Sequence, residues 1–413
     1  MQTYSKFLAV GLLLVMLIVS NAALVEAQTQ GTFGSGLTWA ISSDGTLRIS
    51  GNGPMPVSLS AAANLQPWES VRNTITAVVI EDGVTSLGLG AFSGCAMLSS
   101  ITIGRGITVL PDDIVRGTNI TSVIIPEQIV KIANGAFEGA NKLETVYYNA
   151  INCEDAFTMY VGAPFAIGKC PALKTIVIGN TVQRIPEAMF SEITSLTSLT
   201  IGSNVTQIGR EAFRGCPNLT SIVIPDKVQS VEYRAFRGCS GVTSITLGSD
   251  LSEIGIEAFD GTRITELTIP ENVSKIRASS FGNSTRLRTV YFNARNCENQ
   301  SVDSPLDGCQ VLENIIFGDN VREIPAYMAR GLKGLESVTI GSRVTTIGNY
   351  AFSDCIALEE IINRAARPQT LIGGGYGNFD KTDKTFCILR VPSGSIAAYR
   401  AANIWEDFQI EAL

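Results

Sequence analysis

Between Ile75 and Leu358 the apolar and polar positions of the chain return in one order: apolar, two polar, apolar, any residue, apolar, turn, Val-x-x-Ile, then Ala-Phe-x-x-Cys-x-x-Leu. Copies begin at Ile75, Leu98, Ile120, Leu143, Leu173, Leu196, Leu219, Val242, Ile264, Leu287, Leu312 and Leu335, with an incomplete one at Leu358. A pattern of this period predicts a solenoid, since one coil cannot bury its own apolar face. The spacings are 23, 22, 23, 30, 23 and 23, then 23, 22, 23, 25, 23 and 23. The second six match the first except for one insertion, which predicts duplication of a six-repeat block, 75–218 and 219–357.

Within one coil, Leu196 to Ile201 alternates with period two, which sends Leu199 and Ile201 inward and Ser198 and Thr200 outward. Gly202, or Pro126, Pro225 and Pro270 in other coils, ends the strand. Val205, Ile208, Phe213, Cys216 and Leu219 then face the interior. Coils stacked about 4.8 Å apart would form one parallel sheet over an elongated core, roughly 58 Å long for twelve coils. At the N-terminal end Trp39 and Ile41 alternate before Asp44-Gly45, and Leu47 and Ile49 after it, which predicts a hairpin over the first coil. At the other end Cys387 to Val391 reads as a strand and Pro392 to Ser395 as the entry to a short helix carrying Ile396 and Tyr399, with Trp405 and Phe408 completing the lid. The glycine-rich Gly373 to Gly377 lacks the Gly-Lys-Ser/Thr of a phosphate loop and reads as a surface loop.

The segments LTSLTIGSNVTQIGREAFRGCPNL (196–219) and LTSIVIPDKVQSVEYRAFRGCSGV (219–242) resemble the BspA-type leucine-rich repeats of bacterial, and some protozoan, surface proteins. GLTWAISSDGTLRISGNGPMP resembles the hairpin that precedes such arrays, and LRVPSGSIAAYRAANIWEDF a segment that often follows them in Bacteroidetes proteins. The resemblance implies a right-handed leucine-rich-repeat array with a parallel β-sheet, a β-hairpin N-cap (28–74), a solenoid (75–363) and a mixed α/β C-cap (364–413). It also implies a secreted or surface-exposed adhesive or binding protein, without a single ligand and without common catalytic residues.

The first residues carry Lys6 and then an apolar run from Phe7 to Val19, too short for a comfortable membrane span, followed by Val25-Glu26-Ala27. This reads as a signal peptide, 1–27, with export of the remainder and no transmembrane span after cleavage. Charge narrows the function further. With 31 basic and 38 acidic residues the chain has a net charge of −7, so a nucleic-acid partner is not expected. There is no histidine, which removes Ser-His-Asp and Cys-His catalysis and histidine-containing zinc sites. Carboxylate-only chemistry survives that exclusion, but Asp112-Asp113 and the pair Asp380 and Asp383 read as solvated faces, and no calcium loop is present. No catalytic, cofactor or metal residue is expected.

Cys95, Cys170, Cys216, Cys239, Cys309 and Cys355 share one place in the repeat and read as a ladder of buried thiols. Cys153 and Cys297 share another, inside the insertion-bearing repeats, which leaves Cys153–Cys170 and Cys297–Cys309 open as disulfides or as free thiols.

The outward strand positions Val79, Thr102, Ile124, Tyr147, Val177, Thr200, Val223, Thr246, Thr268, Tyr291, Ile316 and Thr339 include no charge, and the neighbouring row carries only Glu266. Such a face suits an extracellular protein or glycan and offers nothing to a phosphate backbone. Tyr147 and Tyr291, with Thr200, Thr246 and Thr268, are its candidate ligand contacts, the alternative for the two tyrosines being that each ring packs under the inserted loop of its own repeat. The two tyrosines hold the same place in the two blocks, six coils or roughly 29 Å apart. The chain is therefore read as a binding or adhesion module. A histidine-free carbohydrate-processing enzyme and a structural envelope component without a specific ligand are the alternatives.

Overall fold

The computed structural model describes residues 29–56, 66–155, 167, 170–299, 303–374 and 377–413. The signal-peptide reading, most of the first insertion, and Gly375 and Tyr376 of the glycine-rich loop lie outside them. The described chain is a parallel-strand leucine-rich-repeat solenoid. Each repeat begins with a strand of three or four residues, and along the array these fall into hydrogen-bonded groups, of which Thr145–Tyr148, Thr175–Ile178 and Ser198–Thr200 pair in parallel without slippage. Register is fixed by burial, because a one-residue slip would carry Val146 and Tyr148 to solvent.

A second ladder runs along the Val-x-x-Ile segments. Arg184–Ile185, Gln207–Ile208, Ser230–Val231, Glu253–Ile254, Lys275–Ile276 and Glu298–Asn299 are two-residue parallel strands stacked in order. The inward reading of Val205 and Ile208 holds, since both are buried, but the ladder itself was not anticipated. Two residues are too few to show an alternation in the sequence.

The interior between the ladders is apolar and regular. Phe190, Phe213, Phe236, Phe259 and Phe281 stack ring on ring at 5.2–5.4 Å, with planes within 10° of parallel. All five are fully buried. The turn that brings each ring inward needs left-handed backbone at two places four residues apart, as at Glu211 (φ 52°) and Gly215 (φ 71°), or Glu257 (φ 53°) and Gly261 (φ 81°). Glycine fills the second place in the coils of Phe213, Phe236 and Phe259, while Glu192 and Asn283 fill it in those of Phe190 and Phe281. A non-glycine residue at the first costs about 1–2 kcal/mol of local strain, which the packed ring offsets.

Beside the rings runs the thiol ladder. Cys170, Cys216, Cys239 and Cys309 each donate to the carbonyl of the phenylalanine one coil earlier, Phe137, Phe190, Phe213 and Phe281, at 3.3–3.5 Å. Cys355 does the same to Ala329, at 3.2 Å. All nine cysteines are free and buried. The disulfide alternatives Cys153–Cys170 and Cys297–Cys309 are thus not formed, and Cys170 and Cys309 are committed to the ladder. Burial pushes the Cys170, Cys297, Cys309, Cys355 and Cys387 thiols up to about 12, which makes them poor nucleophiles.

At the N-terminal end Leu37–Ile41 and Thr46–Gly51 pair antiparallel, and the second of them pairs in parallel with Ala77–Ile80. A further strand, Gln30–Phe33, lies outside the hairpin. Trp68 joins the hairpin to the first coil: it packs against Trp39, stacks on Phe92 at 5.9 Å, and donates Nε1 to the Ala91 carbonyl. At the C-terminal end Ile388–Val391 extends the main ladder, a short helix spans Ile396–Arg400, and Gln409–Ala412 is the outermost strand. Tyr399 and Trp405 are buried there, with the Tyr399 hydroxyl 3.1 Å from the Ala365 carbonyl.

Candidate functional site

The outward row of the main ladder is assembled by strand register alone. Tyr147 lies between Ile124 and Val177, and Tyr291 between Thr268 and Ile316. Both rings are open to solvent, at 42% and 38% exposure. Thr200, Thr246 and Thr268 are exposed as well. Thr268 stands directly beside Tyr291, whereas Thr200 is two rungs from Tyr147 and Thr246 two rungs from Tyr291. The five residues therefore share one face without forming a single cluster.

Register also extends this row beyond the expected positions. Val79 pairs with Arg48 at one end, and Thr339 leads through Ile362 to Arg390 at the other. Arg48 is held by Glu81 at 3.0 Å, and Arg390 by Glu360 and Glu411, each at 2.6 Å. The uncharged stretch is thus bounded on both sides by arginines that already have partners.

The surroundings of the two tyrosines differ. Beside Tyr147 the ends of the strands and the turns after them form an open groove of about 660 Å³, lined by Ile103, Arg105, Ile124, Pro126, Glu127, Gln128, Asn149 and Ile151. Ile124 is 58% exposed and Ile151 36%. The positions 144 residues later, beside Tyr291, are Thr268 for Ile124, Arg295 for Ile151 and Glu271 for Glu127. Arg295 is ion-paired with Glu271 there. The backbone is the same in both places: Ile151 N–H donates to the Glu127 carbonyl at 3.2 Å, and Arg295 N–H to the Glu271 carbonyl at 3.1 Å. Sequence reasoning had not singled out this groove. The signal that would have found it is the comparison of residues 144 apart, where an isoleucine faces an arginine.

A second groove, of about 560 Å³, lies on the short-strand ladder around Tyr233. The Arg234 and Arg210 guanidiniums stand 4.5 and 5.2 Å from the Tyr233 ring. Its charges are largely spoken for within the chain. Arg234 pairs with Glu257 at 2.9 Å and holds that carboxyl below its usual range, Glu253 pairs with Arg277 at 3.0 Å, and Glu232 accepts from Gln207. Three of the acidic residues noted in the sequence are engaged locally: Asp112 accepts from the Gly135 N–H at 2.8 Å, Asp113 from Arg116, and Asp383 from Thr385. Among the described residues no group of three or more Cys, Asp or Glu side chains could hold a metal ion, and no helix is long and apolar enough to cross a membrane.

The fold is that of solved leucine-rich-repeat proteins. A leucine-rich repeat protein from Bacteroides ovatus superposes with a TM-score of 0.50 at 17% identity, over 92% of this chain and 99% of that one. One from Eubacterium ventriosum gives 0.35 at 24% identity, covering 80% and 89%, and a leucine rich cell surface protein from Faecalibacterium prausnitzii gives 0.33 at 22% identity, covering 82% and 95%. No curated protein matches the sequence. The model of the BspA type leucine rich repeat region matches residues 71–157, 164–288 and 302–371 in six copies, and with more than half of its length so matched this chain belongs to that family.

Proposed function

We propose that the protein is exported and acts at the cell surface or beyond it as a binding module for an extracellular protein or glycan, by surface contact rather than catalysis. The observation that carries this reading is the outward row itself: an uncharged face with two exposed tyrosines, Tyr147 and Tyr291, in equivalent places. Exposed aromatic residues are favoured contact anchors, and two at a fixed spacing suit a repetitive or dimeric ligand. The family supports the same direction, since its repeat builds a long scaffold rather than a closed pocket. Domain limits follow the sequence reading, with the leader at 1–27, caps at 28–74 and 364–413, and the solenoid between.

The test is a glycan and matrix-protein array probed with the chain, followed by the variant Tyr147→Ala/Tyr291→Ala. The proposal expects attachment to at least one surface, weakened at least tenfold in the variant with its melting temperature unchanged. Loss of stability without specific loss of attachment would retire the tyrosines as contacts.

A further inference from the structure

The two blocks provide an internal control for what the groove beside Tyr147 is built to do. Where the second block closes the place with an ion pair between Arg295 and Glu271, the first leaves Ile151 exposed and Glu127 with no partner among the described residues. Arg105, one coil away, is likewise unpaired among them, and its counterpart in the second block is Ser249. The same backbone therefore carries a self-satisfied surface in one copy and an apolar floor with an open carboxylate and an open guanidinium in the other. Ile124, the most exposed of the floor residues, is replaced by Thr268. Leaving apolar surface uncovered costs roughly 25 cal/mol per Å², and a polar solution for this backbone exists within the chain.

The chemistry of the groove selects among occupants. A sugar could stack only on Tyr147 at the edge of the groove, because the floor itself, Ile103, Ile124, Pro126 and Ile151, is aliphatic, and Gln128 is already donating to the Gly104 carbonyl at 3.1 Å. An anionic lipid surface would meet the carboxylate of Glu127 on the lining, unpaired among the described residues. A protein segment matches both features, because interfaces pair a desolvated apolar anchor with a charged rim.

We propose that this groove is a docking site for a protein segment that inserts a branched apolar side chain between Ile124 and Ile151 and sets a Lys or Arg against Glu127. Arg105 takes a carboxylate or main-chain carbonyl of the same segment. This rests on the surface-binding reading above and names, within it, the site and the partner's chemistry. The first block then carries a contact beside its tyrosine that the second block lacks.

The probe is a random dodecapeptide library displayed on phage and panned against the chain, with the enriched peptides then synthesised and titrated. Enriched sequences should carry a branched apolar residue within two positions of a Lys or Arg. Ile124→Thr/Ile151→Arg, which installs the second block's residues, should weaken their binding at least tenfold with the melting temperature unchanged. Glu127→Gln should weaken it three- to tenfold and reduce its salt dependence. The reverse change, Thr268→Ile/Arg295→Ile, should raise the stoichiometry from one peptide per chain to two, and it decides the matter should the first variant fail to fold. Peptides that bind Ile124→Thr/Ile151→Arg as well as wild type would overturn the site while leaving the binding function standing. No enrichment, or an effect of these substitutions on glycan or vesicle binding alone, would overturn the partner class.

Discussion

The six coils from Ile75 and the six from Leu219 differ in an instructive way: their interiors stay apolar or small throughout, with exchanges such as Phe190 for Ala329 and Val115 for Phe259, while their surfaces change character. At the thiol position the first block reads Cys95, Thr118, Ala140, Cys170, Ile193, Cys216, and the second Cys239, Thr262, Ser284, Cys309, Leu332, Cys355. Even the departures from cysteine fall in the same coils, which supports the inferred duplication. On the surface Val109, Ile124, Val130 and Ile151 of the first block, all at least a third exposed, face Glu253, Thr268, Ser274 and Arg295 of the second. An interior residue is constrained by the rung on either side, so a change must suit three coils at once. An outward residue answers to solvent alone, and there one copy can take on a role the other lacks.

The largest expected effect tests the shared interior. Phe213 lies within the five-ring stack, while its counterpart Phe352 stacks on Phe379 and meets Phe317 edge-on. Phe213→Ala and Phe352→Ala should each cost about 3–5 kcal/mol in denaturant unfolding. A loss below roughly 1 kcal/mol for either would place that ring outside the core and break the correspondence.

Alkaline unfolding probes the thiol ladders of both blocks together. The buried thiols stay protonated in the fold up to about 12, whereas the unfolded chain releases those protons from about 9 upward. Stability from this source is therefore full below about 9 and lost as the pH rises from there toward 12. Unfolding midpoints measured between pH 8 and 11 should fall steadily, and a flat profile would mean that the thiols are not desolvated.

A smaller effect sharpens a difference. Tyr148 is buried in the first block, where its hydroxyl meets the Cys153 thiol but makes no well-formed hydrogen bond among the described residues, while Phe292 holds that place in the second. Burial pushes the Tyr148 hydroxyl far above its usual range. Tyr148→Phe should stabilise the chain by about 1 kcal/mol, since removing an unsatisfied buried hydroxyl relieves its desolvation cost. Destabilisation on thermal melting would show that the hydroxyl is bonded after all.

Much of the fold was legible because stacking repeats one local decision many times. The alternation in Leu196–Ile201 and the Ala-Phe-x-x-Cys step are weak signals once and strong ones twelve times over. The N-terminal hairpin and the C-terminal strand and helix entry carried ordinary turn and strand chemistry, at Asp44-Gly45 and at Pro392. The strand Gln30–Phe33 was not legible, because Gln30 and Gly31 give no alternation. Nor was the second ladder, whose strands are two residues long. Of the candidate site, the exposure of Tyr147 and Tyr291 followed from period two. The groove beside Tyr147 did not, because Ile124, Glu127 and Ile151 belong to two coils, and only stacking brings them to one place.

The central claim, that Tyr147 and Tyr291 stand on one face of the solenoid six coils apart, is tested most directly by a distance. All nine native cysteines are buried, so Tyr147→Cys/Tyr291→Cys should take two spin labels where the parent chain takes none. Dipolar spectroscopy on the labelled chain should give a single narrow distribution near 29 Å, six steps of strand spacing. A distance beyond about 45 Å, a broad distribution, or labelling of the parent chain would contradict that placement.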